Sequence, residues 1–239
     1  MEILNLMRSK TIFRIFILPL LGLGFFTPVQ AASVKIMPLG DSITGSPGCW
    51  RSVLWNRLQS AGCTAIDFVG SQTGPACPQA YDEGGEGHGG FLVTDVANNN
   101  LLPAWLAAAN PDIVLMHFGT NDCWNGVSVA DILAAYTRLV RQMRNNNPRM
   151  KILVAQILPM SPVHAAACVV ALNAAIPAWA ADLSTTKSPI TVVDQWTGFN
   201  SAITPTGDTL DGVHPNDTTG TRKVADRWYA ALLRCQAPQ

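Results

Sequence analysis

Short apolar runs alternate with longer amphipathic stretches along most of the chain. The runs VKIMPLG (34–40), AIDFVG (65–70), DIVLMHF (112–118), MKILVAQIL (150–158) and ITVVD (190–194) are nearly continuous in aliphatic and β-branched residues. That is the pattern of strands buried on both faces. Between them the spacing turns helical. Trp50, Leu54 and Leu58 stand four residues apart and the pattern stops at Gly62. Residues 93–110 predict a helix interrupted or kinked near Pro103. Ser128 with Asp131 resembles a capping box and opens a helix whose Val129, Ile132, Leu133, Tyr136, Leu139, Val140 and Met143 share one side. Further helices are expected over about 166–183 and 217–235, and a loop rich in Gly and Pro from Ser71 to about Gly90. Strands that are each followed by a helix predict a three-layer α/β/α sandwich. Its sheet is expected to be parallel and five-stranded, in the flavodoxin-like order 2-1-3-4-5.

The first 31 residues stand outside this pattern. Arg8, Lys10 and Arg14 precede or interrupt the apolar stretch IFILPLLGLGFF, and small residues follow at Ala31 and Ala32. This describes a secretory signal peptide over residues 1–31, ahead of one domain over 32–239. Pro19 and the shortness of the run argue against a membrane anchor. Without residues 1–31 the chain keeps 13 Lys+Arg against 15 Asp+Glu, a net charge of −2. That balance offers nothing to a nucleic acid or an anionic membrane. The low charged fraction, with many Asn, Thr, Gly and Trp residues, suits a neutral, hydroxyl-rich partner, and the domain is expected to be a monomer.

All six cysteines (49, 63, 77, 123, 168 and 235) follow the leader, and none forms a CxxC pair. Export and an even count favour disulfides over zinc or redox chemistry, with buried thiols as the alternative. The expected fold brings Cys49 near Cys77, Cys63 near Cys235, and Cys123 near Cys168.

Chemistry-bearing residues gather in loops at the carboxyl ends of the strands, where open α/β sheets bind ligands. GDSIT (40–44) delivers Ser42 at the end of the first strand, and GTND (119–122) follows the third. EGHGG (86–90) closes the glycine-rich loop, and DGVHP (211–215) precedes the last helix. A serine needs a base to take its proton and a group to orient that base. His214 and Asp211, three residues apart, supply both. A tetrahedral intermediate needs fixed donors. The backbone N–H groups of Ser42 and Gly90 and the side-chain amide of Asn121 are the candidates, glycine at 90 letting the backbone approach a ligand. Asp41 reads as a structural acceptor in the nucleophile turn.

Other groups read more plainly. His88 with Asp82, Glu83 and Glu86 raises a metal site, but an acidic glycine-rich loop is more simply solvated. His117 inside a strand reads as a packed histidine, and His164 as a loop residue. Trp50 reads as packing. Trp124 serves equally as a platform for a sugar face or as rim packing. Asn216-Asp217-Thr218 is a glycosylation sequon beside His214, where a glycan would crowd the site.

GDSIT, GHGG, GTND and DGVHP together resemble the four blocks of the SGNH (GDSL) hydrolase superfamily, in an order that extends over almost the whole mature chain. The resemblance assigns Ser, Gly, Asn and His of those blocks to Ser42, Gly90, Asn121 and His214. More narrowly, MPLGDSITGSPGCWR, YDEGGEGHGGF, HFGTNDCW, VVDQWTGF and DGVHPN resemble carbohydrate esterase family 3, which is associated with deacetylation of xylan. It implies a secreted serine esterase with no metal or organic cofactor, acting on acetylated polysaccharide. A lipase or thioesterase of the same superfamily is the alternative, and a non-catalytic carbohydrate-binding protein is another.

Overall fold

The computed structural model describes residues 33–236; the leader expected over residues 1–31 lies outside the described residues. Seven strands follow in chain order: β1 (Val34–Gly40), β2 (Ile66–Phe68), β3 (Gln72–Thr73), β4 (Gly84–Gly87), β5 (Ile113–His117), β6 (Lys151–Gln156) and β7 (Ile190–Asp194). β1 runs parallel to β5, β5 to β6 and β6 to β7. On the other side of β1 the place of one strand is shared by two. β2 pairs with Val34–Ile36, and β4 takes over beside Leu39 and Gly40. β3 lies antiparallel to β4. The expected count of five strands is therefore corrected to seven in one sheet. Both additions fall where a loop was expected. The sequence of β4, GGEG, carries no apolar period; its glycines let it lie close against its neighbours. A Cβ on Gly84 would stand 1.9 Å from the Phe68 carbonyl oxygen, a distance only glycine permits.

Alternate residues of the central strands face opposite layers, as the pleat requires. Met37, Leu39, Val114, Met116, Ile152 and Val154 pack against α3 (Val93–Asn98), α4 (Leu102–Ala109), α6 (Val129–Asn146) and α7 (Val163–Leu183). Ile36, Ile113, Leu115, Leu153 and Val193 pack against α2 (Trp50–Ser60) and α8 (Thr219–Gln236). Each such fully buried aliphatic side chain contributes about 1.5–3 kcal/mol. Two short helices, α1 (Ser42–Gly45) and α5 (Thr120–Trp124), lie at the carboxyl ends of β1 and β5.

Helix boundaries follow local chemistry. Ser128 accepts a hydrogen bond from the Asp131 amide at 3.1 Å and opens α6. Gly62, at φ +83°, follows α2. The break expected near Pro103 falls earlier, between α3 and α4, where Asn100 takes φ +51°. Pro103 sits instead in the first turn of α4, where its missing N–H is no loss. Cys49–Cys77 and Cys123–Cys168 are disulfides. The side chain of Cys235, expected to join Cys63, lies outside the described side chains.

The glycine-rich loop is built around a buried cation. Arg51, 2% exposed on α2, donates from Nη1 to the carbonyls of Glu83 and Gly84, each at 3.0 Å. Its Nη2 donates to Gly45 at 3.4 Å. A Cβ on Gly74 or Gly85 would come within 2.4 or 2.2 Å of the guanidinium, so those glycines make room for it. Replacing Arg51 with Met strands these carbonyls and is expected to lower stability by roughly 2–4 kcal/mol. Urea unfolding measures this, and a midpoint equal to the parent's would show that the loop holds itself.

Candidate active site

The carboxyl ends of β1, β4 and β5 and the loop before α8 converge on Ser42. β1 ends at Gly40 because nothing larger fits. A Cβ there would lie 2.2 Å from Thr44 Oγ1 and 2.3 Å from the His117 carbonyl oxygen. The chain then enters α1, whose cap is Asp41: its Oδ1 accepts from the Ile43 amide at 3.0 Å. Trp50 is a core side chain, 2% exposed, and its Nε1 donates to the Ile43 carbonyl at 2.7 Å. Ser42 is thus held at the first position of a helix that is itself pinned at both ends.

Asp211 organises its own loop. Its Oδ1 accepts from the amides of Val213 (3.0 Å) and His214 (2.8 Å), and its Oδ2 meets His214 Nδ1 at 2.7 Å. His214 Nε2 lies 2.8 Å from Ser42 Oγ. Partial burial alone would raise the Asp211 pKa, but those donors outweigh it and hold the carboxyl below its ordinary value. Gly212, at φ +89°, lets the loop fold back, and its carbonyl accepts from the Ser161 amide at 2.8 Å.

Asn121 and Gly90 come from separate loops that are tied together. Asn121 Nδ2 donates to the Phe91 carbonyl at 3.1 Å. Beneath them, the buried Asp122 accepts from the Val93 amide (2.8 Å), the Thr94 amide (3.1 Å) and Thr94 Oγ1 (2.7 Å). It caps α3 from the short helix α5, a role not apparent in the sequence although the residue stands in GTND. Gly90 takes φ +80°, and a Cβ there would meet nothing within 4 Å. Glycine at 90 therefore suits a left-handed backbone conformation, and the space a side chain would fill is open. Ser42, Thr120, Asn121, Trp124, Asp211, Val213 and His214 line an open cavity of about 280 Å3. Trp124 is 45% exposed at its rim. A cavity of similar size between β7 and α8 has no serine, cysteine or histidine in its lining.

The remaining candidates separate from the site. His117 is buried in β5, where burial pushes its pKa down to about 4, and its Nε2 accepts from the Leu158 amide at 3.3 Å. The His164 side chain lies outside the described side chains. Glu86 is fully buried, which corrects the expectation of a solvated acidic loop; its carboxylate binds His88 Nε2 at 2.6 Å. Among the described residues no group of three or more His, Cys, Asp or Glu side chains is arranged to hold a metal ion. The sequon asparagine is occupied: Asn216 Nδ2 donates to the Gly207 carbonyl at 2.8 Å, and its Oδ1 accepts from the Gly220 amide at 3.0 Å.

The chain as a whole has known relatives. The model of the GDSL-like lipase/acylhydrolase family matches residues 39–219, so the chain belongs to that family and its domain is of the carboxylic ester hydrolase class. It is 36% identical to an acetyl esterase mutant solved with acetate ion, over 84% of this chain and 97% of that one, with a TM-score of 0.76. A carbohydrate esterase family 3 structure from Talaromyces cellulolyticus is 37% identical over the same shares, also with a TM-score of 0.76. A multidomain esterase of Ruminococcus flavefaciens is 28% identical over 84% of this chain. The chain spans 29% of the length of that relative.

Asp41 generates a pH prediction. Burial pushes its pKa up to about 7 from 3.8, against the pull of the Ile43 amide. Below pH 3.8 both folded and unfolded chains hold the proton. As pH rises towards 7 only the unfolded chain releases it, so this group's contribution to stability falls, and above 7 it levels off. Asp41→Asn keeps the acceptor for Ile43 and removes the ionisation. It is expected to match the parent near pH 4 and to exceed it by roughly 1–4 kcal/mol at pH 8. Urea midpoints at the two pH values test this; an equal offset at both would refute it.

Proposed function

We propose that the domain is a secreted serine esterase that removes O-acetyl groups from hemicellulose, with acetylated xylan as its substrate. The observation that carries this reading is the unbroken chain from Ser42 Oγ through the His214 ring to the Asp211 carboxylate, at 2.8 and 2.7 Å. Ser42 Oγ attacks the acetyl carbonyl carbon while His214 Nε2 takes the hydroxyl proton. Asp211, kept ionised by its donors, fixes the Nδ1–H tautomer and stabilises the imidazolium. The Ser42 and Gly90 amides and Asn121 Nδ2 hold the oxyanion. His214 then protonates the departing sugar hydroxyl. A water that gives its proton to His214 attacks the acetyl-serine, acetate leaves, and the proton returns to Ser42.

Cavity size supports a short acyl group over the longer chains of a lipase or thioesterase. Its lining offers only Trp124 and Val213 as large apolar surface. Trp124, exposed at the rim, provides a face on which a sugar ring stacks. A non-catalytic carbohydrate-binding role would leave the aligned hydrogen bonds at Ser42 without a purpose. The two disulfides support secretion, since such bonds persist in oxidising compartments.

Acetate release from acetylated xylan, measured beside hydrolysis of acetyl and octanoyl chromogenic esters, tests the reading. The parent is expected to release acetate and to prefer acetyl, and Ser42→Ala to lose both activities. Asn121→Ala is expected to lower kcat roughly 100- to 1000-fold. Octanoyl preference without acetate release would move the function to the lipase-like alternative, and turnover surviving in Ser42→Ala would sink the mechanism.

A further inference from the structure

The GHGG turn carries a histidine that touches none of the reacting groups and is nevertheless held on every side. His88 Nε2 donates to Glu86 Oε1 at 2.6 Å, and Glu86 is fully buried. The same carboxylate accepts from the Ser71 amide at 2.8 Å and Ser71 Oγ at 2.7 Å. The imidazole is stacked between two rings: Trp105 at 4.3 Å and 15° between planes, and Phe91 at 4.8 Å and 23°. Its backbone is equally tied. The His88 amide donates to the Gly40 carbonyl at 2.9 Å, one residue before Asp41, and its carbonyl accepts from the Phe91 amide at 3.2 Å. Gly90 lies inside that turn, and the Phe91 carbonyl at its end accepts from Asn121 Nδ2 at 3.1 Å.

We propose that His88 is a positioning residue for the oxyanion donors, fixing the Gly90 amide directly and the Asn121 amide through the Phe91 carbonyl. The inference rests on the oxyanion assignment made above for Gly90 and Asn121. Its physical basis is the glycine content of the turn. Gly87, Gly89 and Gly90 have no side chains to fix the backbone, and Gly90 has the freedom of a positive φ. Beyond the backbone bonds of His88, order in this segment comes from the His88 side chain, which stacks on Phe91 and on Trp105 of α4. A half-buried ring that is hydrogen-bonded and doubly stacked is restricted to one orientation. The surplus constraint falls on the stretch where a donor displaced by 1 Å would lose its alignment with a developing charge.

The test is a kinetic cycle of His88→Ala and Asn121→Ala with a small acetyl ester. His88→Ala is expected to lower kcat roughly 10- to 100-fold with KM little changed, and to leave the pH midpoint of the rate profile in place. Because part of the effect of His88 passes through Asn121, the double variant is expected to fall short of the product of the single losses by severalfold or more. His88→Gln, which keeps an N–H donor for Glu86, carries the same test if His88→Ala does not fold. It too is expected to lose turnover, since the stacked ring is gone. Losses that simply multiply, or a folded variant with parental kcat, would overturn the proposal. Asn121→Ala with parental kcat would overturn the oxyanion assignment itself and this inference with it, so the two failures are distinguishable.

Discussion

The constraint on which the rest of the site depends is backbone lying against backbone where no Cβ fits. At Gly40 the strand-end carbonyl of His117 occupies the space a side chain would need, 2.3 Å from an ideal Cβ. One turn later Gly45 meets Gly87 in the same way: a Cβ on either would stand 2.7 or 2.3 Å from the other's backbone. These contacts set the first turn of α1 directly on β4 and β5. Ser42 therefore sits over the sheet and close to the loops that carry its partners. A larger residue at 40 or 87 would push backbone against backbone, which cannot yield as a flexible side chain would.

Loops drawn this close cannot be held by a hydrophobic core, because they contribute little apolar surface. Buried polar groups hold them instead, each satisfied by several donors or acceptors from distant segments. Arg51 gathers the carbonyls of residues 45, 83 and 84. Asp122 gathers the start of α3. Glu86 joins Ser71 to His88. Each of these is a group whose removal would leave partners stranded, so the loops are rigid for electrostatic reasons although they look flexible by composition.

That distinction decides what could be read from the sequence. Strands β1, β2, β5, β6 and β7 and the large helices were legible because burial imposes a pattern on apolar residues, as at Ile132, Tyr136, Leu139 and Met143 of α6. Ser42, Asn121, Asp211 and His214 could be singled out because few residue types suit such chemistry, and all four line one cavity at the strand ends. β3 and β4 were not legible, since GGEG has no period and its pairing follows from steric exclusion between segments. The burial of Glu86 and Arg51 was equally hidden. A charged residue in a glycine-rich loop suggests solvent, and only the three-dimensional meeting of carbonyls and donors reverses that expectation.

The two aspartates that flank the serine in space show how the fold distributes charge. Asp41, adjacent in sequence, is fully buried, and burial favours its neutral form. Asp211, reached across the His214 ring, is drawn to its ionised form by two amides and the imidazole. Were both ionised, the negative charge at 41 would oppose an oxyanion forming on the Ser42 side, while the charge at 211 would favour a cation on the histidine side. With the two pKa values separated, Asp211 ionises before Asp41, so below pH 7 negative charge stands mainly behind His214. The same carboxyl chemistry thus takes two forms, a helix cap whose neutral form burial favours and a carboxylate held ionised beside a histidine. What separates them is the number of donors each finds and how far each is withdrawn from water.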